Sequence, residues 1–243
     1  MTRTRHARLR AAFLAALVLP LAACAAEPAA PTASPTQPAH VMATPTEEPV
    51  DPLEAVVAIE VRPDGLELRD AGGAVVAEVD YMGDAAEAVA TLTAVFAAEP
   101  VSEPVEGDLH FPGGVKHSWE GFELMETHYD EERRAADDLD NLLWPRLIAL
   151  VRAPRVGGVD VTSTAGRVGD RVDQLDVAID QELWTCSGWA VEITGVTRAS
   201  GATNTVGVSL SFSGATGMRE ALPATDETVT LVRAPADVAE GCV

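Results

Sequence analysis

From Ala55 the chain alternates. Val57, Ile59 and Val61 are separated by smaller or polar residues, the two-residue period of a strand with one buried face. Arg62-Pro63-Asp64-Gly65 is a turn signal, and Leu66 and Leu68 resume the alternation. Gly72-Gly73 marks a second turn before an apolar run from Val75 to Tyr81. Residues 55–81 therefore predict a three-stranded antiparallel meander. The period then becomes helical. Asp84 is a helix cap with Glu87 three residues on, and Ala85, Val89, Leu92 and Phe96 fall on one face before Pro100. An irregular acidic stretch with Pro104, Pro112 and Gly113-Gly114 follows. Strand character is expected from His117 to Tyr129, a short acidic helix from Asp130 to Asn141, and an apolar strand from Arg146 to Arg152.

Parts of this plan recur. Met82-Gly83-Asp84 precedes the first helix, and Val168-Gly169-Asp170 precedes a second helical pattern of Val172, Leu175 and Ile179. Leu150-Val151-Arg152-Ala153-Pro154 is identical to Leu231-Val232-Arg233-Ala234-Pro235. The offsets, 86 and 81 residues, are close and in the same order, the mark of an internal duplication. Further strands are expected at Trp189–Thr197, Thr205–Phe212 and Thr228–Arg233. The fold class that follows is α+β: an antiparallel sheet with one main helix per unit, in two tandem units, 55–155 and 156–243. The Gly-Asp helix start followed by a strand meander loosely resembles the tandem α/β modules of the beta-lactamase-inhibitor-like and outer-membrane-assembly lipoprotein groups. That likeness implies a fold and carries no activity.

The first 54 residues have a different character. Arg3, Arg5, Arg8 and Arg10 precede an uncharged run from Ala11 to Ala22, too short for a spanning helix, which needs about 20 apolar residues. The run ends in Leu21-Ala22-Ala23-Cys24. This stretch resembles the lipobox of bacterial lipoproteins. The resemblance implies a signal peptide over 1–23, cleavage before Cys24, and a lipid thioether such as a diacylglyceryl group on Cys24. It places the chain at the cell membrane, lipid-anchored on the extracytoplasmic face. Residues 24–54 then read as a linker, with prolines at 28, 31, 35, 38, 45, 49 and 52 among Ala, Thr, Ser and Glu.

Composition sharpens this picture. The chain has 17 basic and 38 acidic residues, and four of the basic ones lie in the leader. A mature chain would carry 13 basic residues against 38 acidic, a net charge of −25. Such a surface disfavours nucleic acid and anionic headgroups. With Cys24 lipidated, Cys186 and Cys242 remain, and outside the cytoplasm an even remainder pairs. A Cys186–Cys242 disulfide is expected, worth roughly 4 kcal/mol by loop-closure entropy.

Candidate chemistry is sparse. His110, His117 and His128 share one segment with Glu126 and Asp130, donors suited to zinc or copper, although their spacing fits no ligand motif. Read as one strand, 117 and 128 differ by an odd number and point to opposite faces. Asp137, Asp138, Asp140 and Asn141 lack the glycine and alternating oxygens of a calcium loop. Trp119, Trp144, Trp184 and Trp189 read as core anchors, Trp184 beside Cys186. There is no Gly-x-Ser-x-Gly, no His-Glu-x-x-His and no phosphate-binding glycine loop, and the only lysine, Lys116, has no serine three residues before it. No cofactor is implied. The expectation is a non-catalytic binding or interaction module of the cell envelope, its partner an envelope protein or a small ligand. The alternative is an envelope enzyme with a metal or carboxylate site at 110–130.

Overall fold

The turn chemistry of the first hairpins holds as read. Arg62 N–H donates to Gly65 O at 2.9 Å, and the Asp70 carboxylate accepts from Gly72 and Ala74 N–H, both at 2.9 Å. These turns join β1 (Val56–Val61), β2 (Gly65–Asp70) and β3 (Val75–Asp80) into the expected antiparallel meander. Ile59, Val61, Leu66 and Leu68 lie on its buried face.

The computed structural model describes residues 51–107, 112–129, 145–180, 183–185, 188–197, 201, 203–214 and 222–238. Among them are one α-helix and two sheets. Helix α1 spans Ala85–Phe96. The Asp84 carboxylate caps it, accepting from Glu87 N–H at 2.9 Å. The helix stops before Pro100, at Ala97, whose φ of 52° is left-handed. Ala88, Leu92, Val95 and Phe96 are buried, with Ala85 and Val89 packed on the core beside them.

The larger sheet contains β4 (Val101–Val105), β5 (Gly114–Trp119), β6 (Phe122–Thr127), β7 (Leu147–Val151), β10 (Trp184–Thr185), β11 (Gly188–Thr197), β12 (Thr203–Phe212) and β13 (Val229–Asp237). Its order is β10-β11-β12-β13-β7-β6-β5-β4. The two identical pentapeptides meet at its centre, where Val232 faces Val151 and Arg233 faces Leu150. The smaller sheet has the order β3-β2-β1-β9-β8, adding β8 (Arg155–Val156) and β9 (Val159–Ser163). Both sheets thus draw strands from either side of residue 155, and residues 48–243 group as one compact unit.

Three expectations are corrected. The run from His117 to Tyr129 is not one strand. It spans the turn of a hairpin at Gly121 (φ +86°), with the end of β5 before it and β6 after. The sheets are not wholly antiparallel, because β1 pairs with β9 in parallel. No second long helix follows Asp170. Only a 3₁₀ turn, Val172–Gln174, forms there. Its backbone is engaged elsewhere: Gly169 N–H donates to Val229 O, Val172 N–H to Glu227 O, and Asp173 N–H to Thr225 O. These cross-chain bonds replace the helical ladder, while Val172, Leu175 and Ile179 still pack on the core. The acidic stretch 130–141 lies outside the described residues.

The core runs between the sheets and beneath α1. Phe96, Trp119 and Phe122 form one aromatic cluster, with centroids 5.4–6.0 Å apart, and Trp189 packs on Phe212 at 5.7 Å. Trp119 is fixed by donating its indole N–H to Ala98 O at 2.8 Å. A charged network sits on the smaller sheet. Arg62 pairs with Glu60 at 3.0 Å and with Glu192 of β11 at 2.7 Å, while Arg69 reaches Glu60 at 2.8 Å and also bonds Glu67. Burial pulls the Arg62 guanidinium down in pKa, but Glu192 and Glu60 outweigh it and the net shift is upward.

Candidate functional site

The hairpin sets the site. In β5 and β6, Trp119 faces Phe122, His117 faces Leu124 and Val115 faces Glu126. Directly opposed residues share a face. Trp119, Phe122 and Leu124 are buried in the core, so His117 and Glu126 continue the same face beyond them. His128, two residues after Glu126, extends that row. The odd separation of 117 and 128 is therefore irrelevant, because a turn lies between them.

The three side chains are joined. His117 Nε2 lies 3.2 Å from one Glu126 oxygen, and His128 Nε2 lies 2.9 Å from the other. On the next strand Ser102 faces His117 in register, and its Oγ is 2.8 Å from His117 Nδ1. The carboxylate accepts at His117 Nε2, which fixes the proton there. Nδ1 is then the acceptor for the Ser102 hydroxyl. The result is a Ser102–His117–Glu126–His128 chain across three strands. Partial burial pushes the Glu126 carboxyl up in pKa, but the hydrogen bonds from His128 and His117 outweigh it and hold it below the ordinary value.

His117 and Glu126 of this chain line an open groove of about 610 Å³ between α1 and the hairpin. One wall is the small-residue face of α1, with Ala86, Val89, Ala90 and Thr93; the other carries His117, Glu126 and Glu99. Alanines leave the groove open because their side chains are too short to reach the sheet. Apart from Glu99, which lies between α1 and β4, both walls are regular elements, which hold side chains more firmly than loops do.

The other expected site residues divide clearly. Cys24, Cys186, Cys242 and His110 lie outside the described residues. Among the described residues no group of three His, Cys, Asp or Glu is placed to hold a metal ion. His117 and His128 instead meet a shared carboxylate. Trp119 and Trp189 are buried, as core anchors are. Sequence reasoning missed Ser102, which has no neighbouring motif. Its signal was the pair of alternating runs around Glu120-Gly121, which predicts a hairpin and hence a partner strand.

Two buried polar groups stand apart. The Tyr81 hydroxyl is buried without a hydrogen-bond partner, and burial, with Asp64 and Glu192 nearby, raises its pKa well above the ordinary value. The Arg233 guanidinium is largely buried, its Nε has no partner, and burial alone lowers its pKa.

Comparisons of the chain with family models, with curated proteins and with solved structures give no match. Among the described residues no helix is long and apolar enough to cross a membrane.

Proposed function

We propose that this chain is an exported lipoprotein, held at the extracytoplasmic face of the cell membrane by a lipid on Cys24. Its body serves as an interaction module of the envelope. Leu21-Ala22-Ala23-Cys24 after a basic leader and an apolar run supports the anchor. The proline-rich segment that follows supports a spacer between lipid and body. The observation that carries the binding reading is the groove between α1 and the β5–β6 hairpin, with an apolar wall facing a polar one.

Photo-crosslinking in cells tests the binding reading. A photoreactive residue replacing Ala90, in the groove wall, is expected to trap a discrete envelope component, whereas one replacing Val57, on β1, traps none. Equal patterns from both positions would refute it.

The body also reads as a duplication. The eight-stranded sheet has four strands from each half, with the identical pentapeptides paired across its middle. Trp119 faces Phe122, which faces Val151; Trp189 faces Leu210, which faces Val232. Those two cross-strand rows correspond under a two-fold axis between Val151 and Val232. A crystal structure in which β4–β7 superposes on β10–β13 would support common descent; unrelated strand geometry would not.

A further inference from the structure

We propose that Ser102, His117 and Glu126 form a nucleophilic triad that hydrolyses carboxylic esters at the lip of the groove. This goes beyond the binding reading and does not depend on it. The geometry is that of a hydroxyl, a base and an orienting carboxylate within hydrogen-bond reach of one another: 2.8 Å from Ser102 Oγ to His117 Nδ1, and 3.2 Å from His117 Nε2 to Glu126. Such sets are recognised by geometry and roles; here the hydroxyl meets Nδ1 and the carboxylate meets Nε2, the reverse of the serine-protease arrangement. Ser102 is exposed while His117 is largely covered, so the nucleophile is the accessible member. His128 holds the second oxygen of Glu126 at 2.9 Å, which fixes the carboxylate's rotation.

Strand β4 is the edge of its sheet. Pro104, on that strand, has no N–H for the ladder, so its backbone position faces away from β5. Ser102, two residues earlier, has the same orientation and turns its own N–H outward. That N–H is a donor on the side open to the attacked carbonyl, whose oxygen takes the charge of the tetrahedral adduct.

The chemistry balances without a cofactor. Ser102 Oγ bonds to the ester carbonyl carbon while its proton passes to His117 Nδ1. The bond to the leaving alcohol oxygen then breaks, and the imidazolium gives that oxygen the proton. Water repeats the sequence, releasing the acid and restoring the Ser102 hydroxyl. The alanine wall of α1 suits an apolar substituent, and Glu99 and Glu126 disfavour an anionic one.

The test uses the full chain in detergent micelles with an alkyl fluorophosphonate, followed by peptide mass spectrometry and p-nitrophenyl butyrate turnover. We expect a phosphonyl adduct on Ser102, and loss of adduct and turnover in Ser102→Ala with an unchanged thermal midpoint. His117→Gln should slow labelling about a hundredfold. Glu126 acts through His117 as a positioning residue, so Glu126→Gln should slow labelling and Glu126→Asp restore part of it. No adduct on the folded wild type would overturn the proposal. So would labelling of Ser102 that His117→Gln or prior denaturation leaves unchanged.

Discussion

Phe122 joins the hairpin that carries His117 and Glu126 to helix α1, and replacing it with alanine should loosen both. Its side chain is 0% exposed. Its ring lies 5.4 Å from Phe96 of α1 and 6.0 Å from Trp119. Trp119 is tethered to Ala98 O, and Phe96 sits on the last turn of the helix, so neither is free to fill the space. A cavity that cannot collapse puts the cost in the usual Phe→Ala range of about 3–5 kcal/mol, including two aromatic contacts of roughly 0.5–1.5 kcal/mol each. With a urea slope of about 2 kcal/mol/M, the midpoint should fall by about 1.5–2.5 M. The thermal midpoint should fall by about 10 °C. Urea titration followed by far-ultraviolet circular dichroism measures this, with Val101→Ala as control. Val101 is 65% exposed and should change stability by less than about 0.5 kcal/mol. A loss below about 1 kcal/mol for Phe122→Ala, at an unchanged slope, would refute the packing described for this junction.

Three further outcomes are expected. Asp84→Ala removes the cap of α1 and should cost about 1 kcal/mol in the same titration, with Asp84→Asn retaining most of it; equal losses in both would contradict capping. Arg233→Met removes a buried guanidinium whose Nε has no partner, so the urea midpoint should rise, by about 1 kcal/mol in stability; a fall would mean the charge is satisfied in the fold. The Glu126 carboxyl titrates lower folded than unfolded, so its ionised form adds stability above its unfolded value, about 4.3, and that stability is lost as pH falls through the folded value. The midpoint gap between wild type and Glu126→Gln should accordingly shrink between about pH 5 and pH 2. A gap that holds constant or widens there would contradict the hydrogen-bonded carboxylate.

The local code was readable where it acts alone. Arg62-Pro63-Asp64-Gly65 and Gly72-Gly73 make their turns with their own side chains and backbone, and Asp84 caps the residue three positions on. Segments whose partners are distant in sequence were harder. Residues 170–180 have a helical apolar spacing, yet the N–H groups of Val172 and Asp173 are taken by Glu227 and Thr225, which no local pattern records. The parallel pairing of β1 with β9 is likewise set by the sheet and not by either strand. The candidate site shows the same division. His117, Glu126 and His128 were visible as a cluster, but one overlooked turn at Gly121 reversed the inference about their faces. Ser102 entered only because β4 pairs with β5.

The intact mass and N-terminal peptide of the protein extracted from membranes test the central reading most directly. A chain beginning at Cys24, carrying a diacylglyceryl mass that Cys24→Ser abolishes, is the predicted result. An unmodified chain that retains its leader and stays in the soluble fraction would contradict it.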